Sequence, residues 1–397
     1  MSFGVEGFVP ERLTEAREAK GLNMIVLAEM LEITRQSISA YEKGTQSPSK
    51  EILDLLSKKL QMPKQFFLKP KLNKEELKIF FRSFSGSTKR ERIRAERKLD
   101  WLLEIIEYLS QFVDFLPVNM PNIETCPDVE NISSEEIENI ATACRRSWGL
   151  GDGPISNVVR LLGNNGIIVT RREFESPKLD AFSTWVQSIN TPVIFLNDDK
   201  RSAVRSRFDA AHELGHLIFH RSVKDISHSL KIIEKQADKF SAAFLLPAET
   251  FTADFGYPSL DTFRVIKERW KVSIGAMIMR CYDLGIIDEK QKMKLFINHT
   301  RRGWRKKEPM DDFLPMEKPV FLRRCVELLV DKNIKTREDI LWELSLVDSE
   351  VEKLTCLPSR YFRNDTPIID RLPSLRKTKT TSGGDKKDNL IPFPPKK

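Results

Sequence analysis

Between Arg201 and Arg221 the chain contains no proline, and it places His212 and His216 four residues apart with Glu213 directly after the first. Side chains four apart share one face of an α-helix. The pair therefore demands a helix, and on that helix both imidazoles can meet one Zn²⁺ at about 2.0–2.1 Å. Val204, Phe208, Ala211, Gly215 and Ile218 form an apolar stripe beside them that can bury the helix. A glycine inside a helix costs about 1 kcal/mol relative to alanine, so Gly215 points to another element passing close by. Glu213 is placed to take a proton from a water that attacks a carbonyl carbon.

A catalytic metal needs a third protein ligand and an open position. His220 continues the spacing, but eight residues at about 1.5 Å each put it roughly 12 Å along the axis from His212. It reads as a helix-end residue. Glu234, on the next predicted helix, is the better candidate ligand, and Asp238 one turn later can accept the free ring N–H of a ligand histidine. His228 is an outside candidate for binding an oxyanion. Only five histidines occur in the whole chain, which makes this grouping specific.

The N-terminal residues carry a different signal. Helix one runs from about Pro10 to Lys20 and is closed by Gly21; helix two runs from an Asn23 cap to Leu31. Thr34 caps a third helix, Arg35–Lys43, closed by Gly44. Ile38 and Tyr41 face inward, while Arg35, Gln36, Ser39 and Ala40 face outward. Two short helices joined by a tight turn match the geometry in which the second enters the DNA major groove. Arg suits guanine and Gln suits adenine by paired hydrogen bonds. The stretch Thr34–Gly44 resembles the XRE, or lambda-repressor-like, family, and the resemblance spans about residues 10–68. It implies base-facing roles for Arg35, Gln36 and Ala40, with Ser39 beside the backbone; a double-stranded DNA operator is expected, bound by a homodimer because one short helix reads few bases. Two positions depart from the family pattern: Met24 stands where Gln is common, and Glu32 stands where Gly often occupies the turn.

Charge alone would not reveal this. Residues 1–70 hold ten Lys/Arg against nine Asp/Glu, whereas six of the net +8 charges sit in Arg371–Lys397, a tail rich in Lys, Thr, Gly and Pro. That composition predicts a disordered tail. No apolar run approaches the ~20 residues that span a bilayer, and the first residues lack a basic stretch followed by an apolar one. The five cysteines are scattered and never spaced as Cys-x-x-Cys, which predicts reduced thiols. Together these features predict a cytoplasmic protein with no membrane partner. The 74–116 stretch reads as helical, prolines 117, 121 and 127 mark a break, and strands are expected near 166–171, 181–186 and 192–197. The latter two are expected to offer an edge to an extended peptide substrate. The expected domains are 1–70, a helical linker 71–130, 131–300, a helical module 301–370 and the tail 371–397.

The segments Arg207–His220 and Glu234–Pro247, with Trp148–Ile155 and Leu179–Ser183 upstream, resemble the ImmA/IrrE metallopeptidases over about residues 130–300. The resemblance implies a gluzincin-like site with His212, His216 and Glu234 on zinc and Glu213 as base. It also implies a regulatory protein substrate, a repressor or toxin-related partner, cleaved in a stress, mobile-element or phage-related response. The expected fold is mainly α: a five-helix lambda-repressor-like helix-turn-helix, a small α+β gluzincin-like domain with a small sheet, and a helical C-terminal module. The competing reading is a transcription factor or antitoxin whose zinc domain is a sensor or a protein-binding scaffold.

Overall fold

The computed structural model describes residues 4–71, 80–81, 88–121, 132–176, 179–186, 189–221 and 226–363, with backbone only for 80–81 and 226–229. Cys126, the His228 side chain and the 371–397 tail, all invoked above, lie outside the described residues.

Four short helices open the chain: α1 (Pro10–Ala19), α2 (Met24–Met30), α3 (Arg35–Glu42) and α4 (Lys50–Leu60), followed by a 3-10 turn at Lys64–Phe67. Asn23, Thr34 and Ser49 cap α2, α3 and α4 by accepting the N–H groups of Val26, Ser37 and Ile52. Each cap satisfies an N–H that has no partner inside the helix. Gly21 and Gly44 sit at φ +63° and +69°, the left-handed conformation that closes a helix and suits glycine. Leu13, Leu27, Ile38, Leu56, Phe66 and Phe67 fill the centre. This bundle is roofed by α5 (Lys89–Ser110), which starts at a Thr88–Glu91 capping box. Trp101 Nε1 donates to Glu15 Oε1 at 2.5 Å, and Arg12 Nη1 donates to Glu104 Oε1 at 2.6 Å, all four side chains being buried.

A sheet follows: β1 (Phe80–Phe81), β2 (Ile168–Arg172), β3 (Ala181–Val186) and β4 (Thr191–Asn197), in the order β1-β3-β4-β2. β2 and β4 are parallel, and the other pairs are antiparallel. Helices α6 (Ser134–Ser147), α7 (Val158–Asn164), α8 (Ala203–Phe219), α9 (Ile226–Leu245), α10 (Ala248–Ala253), α11 (Leu260–Trp270), α12 (Ile274–Asp283) and α13 (Glu289–Arg301) build the central region. The C-terminal module is α14 (Phe321–Asp331), α15 (Arg337–Leu344) and α16 (Asp348–Thr355).

The sheet separates two cores. Ile168, Phe182, Val186, Val193 and Phe195 join the core of α1–α5 and α14–α16. Their neighbours Val169, Ala181, Ile194 and Leu196 join the core of α6–α12. This alternation is the period-two consequence of the strand pleat. Because both faces are covered, β4 is apolar nearly throughout, as expected of a strand buried on both sides.

Two expectations need correction. The stretch 74–116 is not helical throughout: Phe80–Phe81 form β1, paired with Phe182 and Ser183 of β3, and α5 begins only at Lys89. Aromatic residues favour pairing along a sheet edge, and the Thr88 cap sets the later helix start. Nor do the 181–186 and 192–197 strands both present an edge. β4 lies inside the sheet between β3 and β2, and β1 covers part of the outer edge of β3. No helix among the described residues is long and apolar enough to cross a membrane.

Candidate metal centre and DNA-facing helix

Ser202 caps α8, and the helix then runs unbroken to Phe219, bringing His212 and His216 onto one buried face. Gly215 lets α9 come close: a Cβ there would lie 3.1 Å from Phe240 Cδ1 and 3.3 Å from Ala237 Cα. That approach sets Glu234, one turn before Ala237, opposite the two histidines. The Nε2 atoms of His212 and His216 are 3.0 Å apart. Glu234 Oε2 is 3.4 Å from the first and Oε1 is 3.4 Å from the second. One donor atom from each of the three residues falls within 4.8 Å of the others.

The surrounding hydrogen bonds fix where the protons sit. Asp238 Oδ1 lies 2.8 Å from His212 Nδ1 and accepts its N–H. Gln236 Oε1 accepts from His220 Nε2 at 3.0 Å. His220 Nδ1 is then an acceptor, and His216 Nδ1, 2.9 Å away, donates to it. Both inner Nε2 atoms are left with lone pairs facing each other and Glu234. Burial pushes His216 down to about 4 and His220 down to about 3, so both imidazoles are neutral at physiological pH. Three electron-pair donors this close require a positive charge between them. Because burial opposes charging the imidazoles, a divalent metal fits better than a proton. Two neutral nitrogens and one carboxylate form a donor set suited to Zn²⁺.

Glu213 is fully buried, and its Oε2 accepts a 2.6 Å hydrogen bond from Ser183 Oγ on β3. Ser183 was not singled out from the sequence for this role, nor was Gln236. A small polar residue in an apolar strand, on the face turned toward α8, was the available signal for Ser183.

The residues expected to face DNA behave differently. Arg35 and Gln36 at the start of α3 are exposed, whereas Ser39 and Ala40 are half-buried. Ile38 is fully buried, and Arg17 anchors the far end of the helix by bonding Glu42 through Nε and Nη2. The metal ligands and these four residues do not form one site. Glu32 occupies the turn at φ +56°, which explains why glycine suits that position.

Residues 163–282 match the family model of the IrrE N-terminal-like domain of the M78 peptidases, and residues 13–67 match a helix-turn-helix model. The chain joins a helix-turn-helix domain to an IrrE-like domain. The IrrE-like match runs from the end of α7 to α12 and contains His212, Glu213, His216, Glu234 and Asp238. The helix-turn-helix match contains α2, α3 and α4, including Arg35 and Gln36. Helices α5, α6 and α13–α16 lie outside both matches. No curated protein matches the chain.

Proposed function

We propose that this protein is a DNA-binding transcriptional regulator whose IrrE-like domain is a zinc-dependent, site-specific endopeptidase acting on a regulatory partner protein, such as a repressor. The supporting observation is the convergence of His212, His216 and Glu234, with the outer ring nitrogens engaged by Asp238 and His220. Bound Zn²⁺ would polarise the scissile carbonyl and acidify water there. Glu213, held by Ser183, receives the proton of the attacking water and returns it to the leaving amine. Asp238 and His220 keep the two imidazoles turned inward. Among the described residues no strand pairs with the outer edge of Trp185–Val186. That edge can take an extended peptide by backbone pairing.

An intact Glu213 favours catalysis over a sensor or scaffold role, because a purely structural metal site has no use for a base. The test is Glu213→Gln, nearly isosteric but unable to accept the proton. It should retain zinc and fold while partner cleavage falls by about 10²–10⁴-fold, read by intact mass of a co-expressed neighbouring repressor. Cleavage that persists in the variant refutes the mechanism. A regulatory phenotype that needs zinc but tolerates Glu213→Gln identifies the sensor role instead.

A further inference from the structure

Away from the metal centre, a cavity of about 400 Å³ opens where the ends of α1 and β2 meet α5 and α16. Its volume lies within the range of small-molecule sites. Lys98 on α5, Arg172 ending β2 and Glu350 on α16 line it. The Glu350 carboxylate takes both cations, Lys98 Nζ at 2.9 Å and Arg172 Nη1 at 2.7 Å. The Lys98 and Arg172 side chains are only 5% and 8% exposed.

Four further cations line the same cavity: Lys20, Lys353, Arg94 and Arg363. Lys20, at the end of α1, bonds the Gln61 side-chain oxygen, and neither it nor Lys353 on α16 pairs with a carboxylate among the described residues. Of the other acids there, Glu175 and Asp348 pair with Arg94 and Arg363 of the same lining, and Glu173 pairs with Arg201 outside it. Six cations therefore line the cavity against four carboxylates, and Lys20, Lys98, Arg172 and Lys353 share only Glu350. Burial pushes Lys98 down to about 7 against the pull of Glu350. Burial would raise Glu350, but Lys98 and Arg172 hold it at about 2. Buried charges are stable when compensated, and the four carboxylates do not balance the six cations of this lining.

We infer that this cavity binds a phosphate-bearing small molecule through Lys20, Lys98, Arg172 and Lys353. A phosphate dianion supplies the missing negative charge and the several acceptor oxygens that Lys and Arg donors require. The cavity is larger than one phosphate group, so the rest of the ligand has room. Its walls come from the helix-turn-helix domain, α5, the sheet and the C-terminal module, so an occupant ties all four together.

The experiment is calorimetric titration of the full-length protein with inorganic phosphate, pyrophosphate and ATP at physiological salt. At least one probe should bind saturably at one site. Lys98→Met and Lys353→Ala should each weaken it about tenfold or more, the effect of losing one charge-assisted hydrogen bond. Lys353 is exposed, so its replacement tests the site without disturbing the core. Lys306→Ala, in the separate cavity beside the start of α8, should leave binding unchanged. Absence of saturable binding for all three probes overturns the inference, as does binding that both cavity variants leave intact. Displacement of the probe by duplex DNA would assign these cations to a DNA backbone and equally overturn it.

Discussion

The proton on His216 is set two residues away from the candidate metal centre. Gln236 fixes His220, His220 accepts from His216 Nδ1, and only then is His216 Nε2 free to bind a cation. Gln236→Leu removes the acceptor and leaves a buried N–H without a partner, which favours the opposite His220 tautomer. That tautomer donates toward His216 Nδ1, moving the His216 proton to Nε2, the nitrogen beside Glu234. Zinc affinity should fall about 10–100-fold, the usual effect of losing an outer hydrogen-bond partner, as measured by competition with a chromogenic chelator. Gln236→Glu, which keeps an acceptor, should restore most of it; equal affinity for wild type and Gln236→Leu would refute the relay. The grouping of His212, His216 and Glu234 was legible in the sequence because helical spacing of four fixes a shared face and Glu234–Asp238 repeats it on the next helix. The relay was not, because His220 and Gln236 are sixteen residues apart and meet only when α9 folds back along α8.

At the scale of elements, α3 is held rigidly at both ends, by the Thr34 cap and by the Arg17–Glu42 pair. A helix fixed in this way can present Arg35 and Gln36 to base edges without ordering itself on binding. Arg35→Ala or Gln36→Ala should cost about 1–3 kcal/mol at the contacted base pair, read as relaxed preference at that position in selection from random duplexes. Failure of the wild-type protein to enrich any sequence would make this helix a packing element. Turn and cap residues made α1–α4 readable, since Asn23, Thr34, Gly21 and Gly44 act locally. The β1 strand was hidden for the opposite reason. Two phenylalanines carry no periodicity, and only the edge of β3, a hundred residues later, decides that they extend.

At the scale of the whole molecule, α5 belongs to the helix-turn-helix core as much as α1 does. Arg12 and Glu15 pair with each other and are buried against Glu104 and Trp101, so a fragment of residues 4–71 would keep that pair but lose one hydrogen bond from each charge. Losing a hydrogen bond to a charged group costs about 1.5–3 kcal/mol, which in a domain of this size is a fall of about 10 °C or more in Tm. Thermal unfolding of fragments 4–71 and 4–115 should show that difference; equal melting would mean α5 is dispensable. The two-faced sheet reaches further. In β2 and β3 the even-numbered residues Ile168, Phe182 and Val186 face the core shared with the helix-turn-helix, and in β4 the odd-numbered Val193 and Phe195 do. The alternate positions face the core behind α8. In a genetic screen, alleles along each strand would therefore sort by parity, one class lost to regulation and the other to metal chemistry. A single-residue deletion would exchange the two classes and abolish both traits at once.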